Sequence, residues 1–69
     1  MKIEENLKNK KVRLTCFFGN DRPIFYNGTI LEINSDHLKI LDKFGHIVFI
    51  DFNSIHELLV LTPSEVGWE

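Results

Sequence analysis

From Lys11 onward apolar and polar residues alternate with period two: Val12, Leu14, Cys16 and Phe18 fall on one side, Lys11, Arg13, Thr15 and Phe17 on the other. That period predicts a β-strand with one buried face. Gly19-Asn20-Asp21-Arg22-Pro23 interrupts it with residues that tolerate positive φ or cannot donate to a ladder, so a hairpin loop is expected. Ile24 to Asn34 reads as a long second strand with Gly28 in its interior, where a glycine marks a bulge, a bend or a close backbone approach. Asn34-Ser35-Asp36 turns the chain into a third strand, His37 to Asp42, in which Leu38 and Ile40 alternate against Lys39. Lys43-Phe44-Gly45 turns again into a nearly all-apolar fourth strand, His46 to Phe52. The Asn53-Ser54 break then leads into a fifth, Ile55 to Leu61, which Pro63 ends.

Ahead of the first strand, Ile3 and Leu7 stand four apart and Glu4 is placed to pair with Lys8, which predicts a short amphipathic helix within residues 1–9. Residues 62–69 are acidic and aperiodic and read as a tail, loosely held unless Trp68 docks. The expectation is an all-β fold: a five-stranded, bent antiparallel barrel of the SH3-like kind, one domain over residues 1–61. An OB-fold is less expected, because it usually needs a longer chain and often a helix where only Lys43-Phe44-Gly45 stands.

Composition strengthens the β reading. Val and Ile together number 12 of the 69 residues, eight are aromatic, and alanine, the best helix former, does not occur. A chain this short makes one domain without a large enclosed active site. Cys16 is the only cysteine, which excludes an internal disulfide and a cysteine-based zinc site. No apolar run approaches the roughly 20 residues that span a bilayer, and Met-Lys-Ile-Glu-Glu lacks the apolar stretch of a secretory signal. A cytoplasmic protein with no membrane partner is therefore expected. The formal net charge is -2, but it is unevenly spread. Lys2, Lys8, Lys10, Lys11 and Arg13 crowd the first 13 residues, whereas residues 44–69 hold four acids and no Lys or Arg.

Tyr26-Asn27-Gly28-Thr29-Ile30-Leu31-Glu32-Ile33-Asn34-Ser35-Asp36-His37-Leu38 resembles the first motif of Sm-like proteins: a glycine, alternating apolar residues, then an Asp or Asn turn. Gly45 through Ile55, with Val48-Phe49-Ile50-Asp51-Phe52-Asn53-Ser54-Ile55, is similar to the second motif. Leu7-Lys8-Asn9-Lys10-Lys11-Val12 resembles the helix-to-strand entry of the bacterial Sm-like Hfq proteins. The likeness covers about residues 7–61. It implies an Sm-like barrel whose fourth and fifth strands pair between neighbours into a ring that binds single-stranded RNA. Base pockets in that family come from the loops after the second strand and between the fourth and fifth, here Asn34 to His37 and Asp51 to Asn53. Asp51-Phe52 stands where the family has Arg-Gly, Phe52-Asn53 where Hfq has Lys-His, and Leu38 where eukaryotic and archaeal relatives have a pocket asparagine. An anion in place of a cation implies weaker RNA contact. Lys11-Val12-Arg13-Leu14-Thr15, the Gly-Asn-Asp-Arg-Pro loop, Phe25, Gly28 and Ile30 also resemble the C-terminal barrel of the ribosome maturation factor RimP, which implies a protein- or ribosome-docking module.

The RNA-binding candidates are accordingly Lys8, Lys10, Lys11 and Arg13 for phosphate, and Asn34, Asp36, His37, Phe52 and Asn53 for bases, through hydrogen bonds or stacking. Each has a plainer explanation. Asn, Ser and Asp are what turns use, and a basic strand entrance is an ordinary solvated surface. His37, His46 and His56 lie on three strands without metal-ligand spacing, so no metal or other cofactor is expected. Cys16 alternates with Val12 and Leu14 and reads as a buried apolar residue. No Cys-His-acid set supports a nucleophile, and Asp36, Asp42 and Asp51 sit at turns or strand edges, so catalysis is not expected. The expected function is a ring-forming, RNA-associated protein. The alternative is a protein-interaction barrel without RNA binding of its own, using an exposed strand edge and aromatic residues such as Phe44.

Overall fold

The computed structural model describes residues 5–19 and 22–62. The chain forms five strands: β1 (Lys11–Cys16), β2 (Ile24–Ile33), β3 (His37–Asp42), β4 (Ile47–Asp51) and β5 (Ile55–Val60). All pairings are antiparallel, in one sheet of order β4-β3-β2-β1-β5. The fold is thus all-β, as the alternation predicts. The helix expected within residues 1–9 is not found in its described part. Only a 3-10 turn, Glu5–Leu7, is present, because Lys10 N–H closes back on the Leu7 carbonyl and Asn9 N–H donates to the Ile30 carbonyl of β2 at 2.7 Å. Asn9 itself adopts φ 69°, the left-handed conformation that ends a helical turn and that asparagine tolerates. Residues 1–4, Asn20, Asp21 and the tail from Pro63, Trp68 included, lie outside the described residues.

The sheet cannot be flat. Its two end strands, β4 and β5, stand four strand spacings apart in the order, about 19 Å along a flat sheet. Yet only the 3-10 turn Phe52–Ser54 joins Asp51 to Ile55, and four residues reach at most about 14 Å even fully extended. The sheet therefore curls until its ends meet at that corner. One cluster of buried side chains accordingly draws on all five strands: Val12, Leu14 and Cys16 from β1, Ile30 from β2, Leu38 and Ile40 from β3, Ile50 from β4 and Ile55 from β5. Along the rest of their length β4 and β5 have no ladder to each other among the described strands.

Two irregularities produce the curl. Register slips between Ile30 and Glu32, where β2 carries one residue more than β3, and again at Thr15/Cys16 opposite β5. Such bulges bend a strand and raise its twist. Gly28 is not itself the bulge but the close approach: a Cβ there would lie 2.5 Å from the Leu41 carbonyl oxygen. β1 ends at Cys16 rather than continuing to Phe18, with the Phe17 N–H to the Ser54 carbonyl, 2.8 Å, as the last bond of its ladder to β5. Phe18 is consequently exposed and packs edge-on to Tyr26, at 6.4 Å between rings, instead of joining the core.

Candidate functional site

The two turns singled out in the sequence do come together. His37 of β3 pairs with Asp51 of β4, and the Phe52 N–H donates to the Asp36 carbonyl at 3.0 Å. The β2–β3 turn is thereby stitched to the β4–β5 connection. Between them lies an open cleft of about 270 Å³, lined by Ser35, Asp36, Asp51, Phe52 and Asn53.

Most of the polar groups here are already committed to one another. The Asp51 carboxylate accepts the Asn53 N–H at 2.9 Å and the Ser54 hydroxyl donates to the Asp51 carbonyl at 2.7 Å, so Asp51 caps the 3-10 turn that joins β4 to β5. His37 Nδ1 lies 2.7 Å from Asp36 Oδ1, and its Nε2 lies 3.0 Å from Asn34 Nδ2. Donation from Asn34 to Nε2 requires the proton on Nδ1, where it points at the Asp36 carboxylate; the two contacts together favour that tautomer. The ring also leans on Phe49 at 5.8 Å. Phe52 is half-buried and packs against the core cluster. A base entering the cleft thus meets two carboxylates and an aromatic ring partly withdrawn into the core, and His37, next to Asp36, has both ring nitrogens engaged.

The basic candidates occupy a different part of the surface. Lys8 and Lys10 are exposed beside the 3-10 turn that leads into β1. Lys11 and Arg13 alternate along the outward face of β1, and Arg13 Nε donates to Asn27 Oδ1 of β2 at 3.0 Å. Lys10 itself lies beside Ile30, whose N–H bonds to the Lys10 carbonyl. The strip therefore runs along the strand entrance and none of its residues lines the cleft.

Two features were not read from the sequence. The first is the state of the two end strands. Residues directly opposite in a ladder share a face, so Val60, opposite Val12, Leu58, opposite Leu14, and Val48, opposite Ile40, all point toward the core. Val12, Leu14 and Ile40 are fully covered, whereas Val60 is 46% exposed and Leu58 and Val48 are only half-buried. The outward faces of the same strands expose Ile47, Phe49 and Leu59. The second feature is a groove of about 380 Å³ lined by Phe25, Tyr26, Asn27, Asp42, Lys43 and Phe44. Strand alternation places Phe25 outward, but nothing in the sequence says that the turn after β3 lies beside it. Asp42 anchors that turn. Its carboxylate accepts the N–H groups of His46 at 2.8 Å and Phe44 at 2.9 Å. The His46 N–H bond leads in holding its pKa below the ordinary carboxylate value against the opposing effect of desolvation, and the Phe44 N–H adds to it.

Among the described residues no group of three or more His, Cys, Asp or Glu side chains is placed to hold a metal ion, and no helix is long and apolar enough to cross a membrane. Burial raises the pKa of the Cys16 thiol. No protein-family model matches the chain, and neither a curated protein nor a solved structure matches it.

Proposed function

We propose that the chain is a non-catalytic binding module that assembles edge to edge through β4 and β5, in the manner of an Sm-like ring, and carries single-stranded RNA by its phosphates on Lys8, Lys10, Lys11 and Arg13. The observation that carries the assembly is the uncovered core at the two sheet ends. Val60, Leu58 and Val48 face inward yet stay partly open, beside edges that no other described strand pairs, and such edges are liabilities unless a strand covers them. β4 of one copy laid along β5 of the next would complete the ladder and close over these side chains. Such a contact joins two different surfaces, so it propagates from copy to copy and closes only as a ring. The RNA part rests on the basic strip, which assembly would repeat around one face and so multiply its pull on phosphate. The carboxylates of the cleft and the engaged nitrogens of His37 support backbone contact rather than base readout.

Native mass spectrometry and sedimentation test the assembly. A defined oligomer is expected at tens of micromolar, roughly the range of weak protein interfaces, and Val60→Lys should dissociate it by placing a charge in the closing contact. A clean monomer rejects the ring. Titration of labelled A-rich and U-rich RNA tests the ligand: affinity should fall with salt by about 0.7 in log–log slope per phosphate neutralised. It should fall further with Lys8→Ala plus Lys10→Ala and change little with His37→Ala. Absence of binding at low salt, where attraction is greatest, removes RNA. It leaves the protein-interaction reading, which the exposed Phe25 and Phe44 rings favour.

A further inference from the structure

The groove of about 380 Å³ shares no lining residue with the cleft and none with β4 or β5. Its walls are aromatic: Phe25 is 61% and Phe44 74% exposed, and Tyr26 lies between them and the core. Phe18 and Ile24, also exposed, extend this surface, since Phe18 packs edge-on to Tyr26 and Ile24 precedes Phe25 on β2. A contiguous exposed apolar patch marks contact with another molecule. The turn that carries Phe44 is built to hold the ring in place. Lys43 N–H donates to the Asn27 carbonyl at 3.0 Å, Gly45 N–H donates to the Asp42 carbonyl at 3.1 Å, and the N–H groups of Phe44 and His46 both donate to Asp42 Oδ1. Every N–H from residue 43 to residue 46 is thus bonded, and a bulky ring is fixed in solvent beside Phe25. A wall ordered in advance loses little freedom when a ligand settles on it.

We infer that this groove docks a proline-rich segment of another protein, held in the polyproline II conformation, with an acidic residue beside its prolines. Three observations select that ligand. The Asn27 carbonyl already accepts from Lys43, so little of this part of β2 is left for a ladder to an added strand, whereas a polyproline II segment makes no ladder and keeps its backbone solvated. The exposed faces of Phe25 and Phe44 offer flat apolar surface on which pyrrolidine rings pack, and a segment stiff before it binds loses little entropy on docking. The Lys43 ammonium, 5.2 Å from the centre of the Phe44 ring, stands at the groove to meet a carboxylate. The same groups disfavour a stacked nucleotide strand. Asp42 lines the groove as an anion, its pKa lowered first by the His46 N–H, so that one carboxylate can settle on Lys43 while a strand with a phosphate at every nucleotide must also pass Asp42. Asn27 Oδ1, an acceptor suited to a base edge, is taken by Arg13 Nε at 3.0 Å. The inference depends neither on assembly through β4 and β5 nor on phosphate contact at the basic strip.

The probes are acetylated decapeptides in which a run of prolines is either followed or preceded by two glutamates, titrated to millimolar concentration into the full-length, nitrogen-15-labelled protein. Saturable amide shifts are expected at Phe25, Asn27, Lys43, Phe44 and Gly45, with Lys8, Lys10 and Phe49 unmoved. Phe44→Ser should weaken binding by at least about tenfold, the scale of an interface anchor. Lys43→Glu should weaken it by about two- to fivefold, as for an exposed ion pair, and a peptide with lysines in place of the glutamates should invert the preference and bind the Lys43→Glu protein better than the parent. Replacing the prolines by glycines should abolish the shifts. No shift with either peptide orientation, equal shifts from the glycine peptide, or movement of these amides by U-rich RNA but not by peptide overturns the inference. The spectrum of Phe44→Ser reports its folding directly; should that variant fail to fold, the charge exchange at Lys43 and the glycine peptide decide the question.

Discussion

Gly28 offers the sharpest test of the curled sheet, because its need for glycine is steric and not conformational. A Cβ at this position would stand 2.5 Å from the Leu41 carbonyl oxygen and 3.1 Å from the Asp42 Cα, almost an ångström inside ordinary contact with the first. Neither atom belongs to a flexible side chain. Leu41 is held in ladders to Thr29 on one side and Ile47 on the other, and Asp42 N–H is fixed to the His46 carbonyl at 2.8 Å. The backbone itself must shift. Overpacking of this kind costs about 1–3 kcal/mol, while replacing glycine returns about 0.4–1 kcal/mol through the unfolded chain. A net loss of about 1–2 kcal/mol is expected for Gly28→Ala, or about 5–15 °C in Tm for a domain of this size, and more for Gly28→Val. Gly45 provides the contrast. It has φ +86° with nothing within 4 Å of a built Cβ, so its requirement is purely one of backbone conformation. Asparagine, which tolerates that conformation, should recover much of the loss of Gly45→Ala but be worse than alanine at position 28. Thermal and urea unfolding of the five variants measure both effects. A Gly28→Ala protein that melts within a degree of the parent, or the same rank order of Ala and Asn at both sites, would refute the close approach of β2 and β3.

Asp42 should make stability acid-sensitive: its folded pKa is lowered, chiefly by the His46 N–H, so its contribution is present above the ordinary value of 3.8 and is lost as pH falls through the lowered one. Asp42→Asn, which keeps an acceptor oxygen, should flatten urea-unfolding stability below about pH 4; identical acid profiles for parent and variant would count against this. The Cys16 thiol, fully buried and raised in pKa, should react with an aromatic disulfide reagent only as the protein unfolds in urea, and native reactivity equal to free cysteine would contradict its burial. Asp51→Ala removes the cap of the β4–β5 turn and should cost about 0.5–2 kcal/mol, whereas Asp51→Asn should cost less. Leu14→Ala, in the centre of the core, should cost about 2–5 kcal/mol, read from the urea midpoint.

The strands were legible because each strand with one buried face writes its period into the chain: Val12, Leu14 and Cys16, then Leu38 and Ile40, are spaced by two because the core lies on one side of the sheet. Turn chemistry marked their ends for the same local reason, and the tight site at Gly28 followed from a glycine in the interior of a strand. Residues 5–9 hold a 3-10 turn where a helix was expected, because Ile30 captures the chain at Asn9. Phe18 misled likewise: period two continues through it, but the ladders of β1 to β2 and to β5 both stop at Cys16. The candidate site divides along the same line. That Asn34, Asp36 and Asn53 occupy turns and that His37 opens a strand is local. That His37 spends both ring nitrogens on Asn34 and Asp36, that Asp51 caps the next turn, and that Phe25 and Phe44 border one groove are consequences of which strands lie side by side. Strand order, register slips and open edges depend on contacts between residues distant in sequence, and a hydrophobic pattern records only which face of each strand is buried, not what it is buried against.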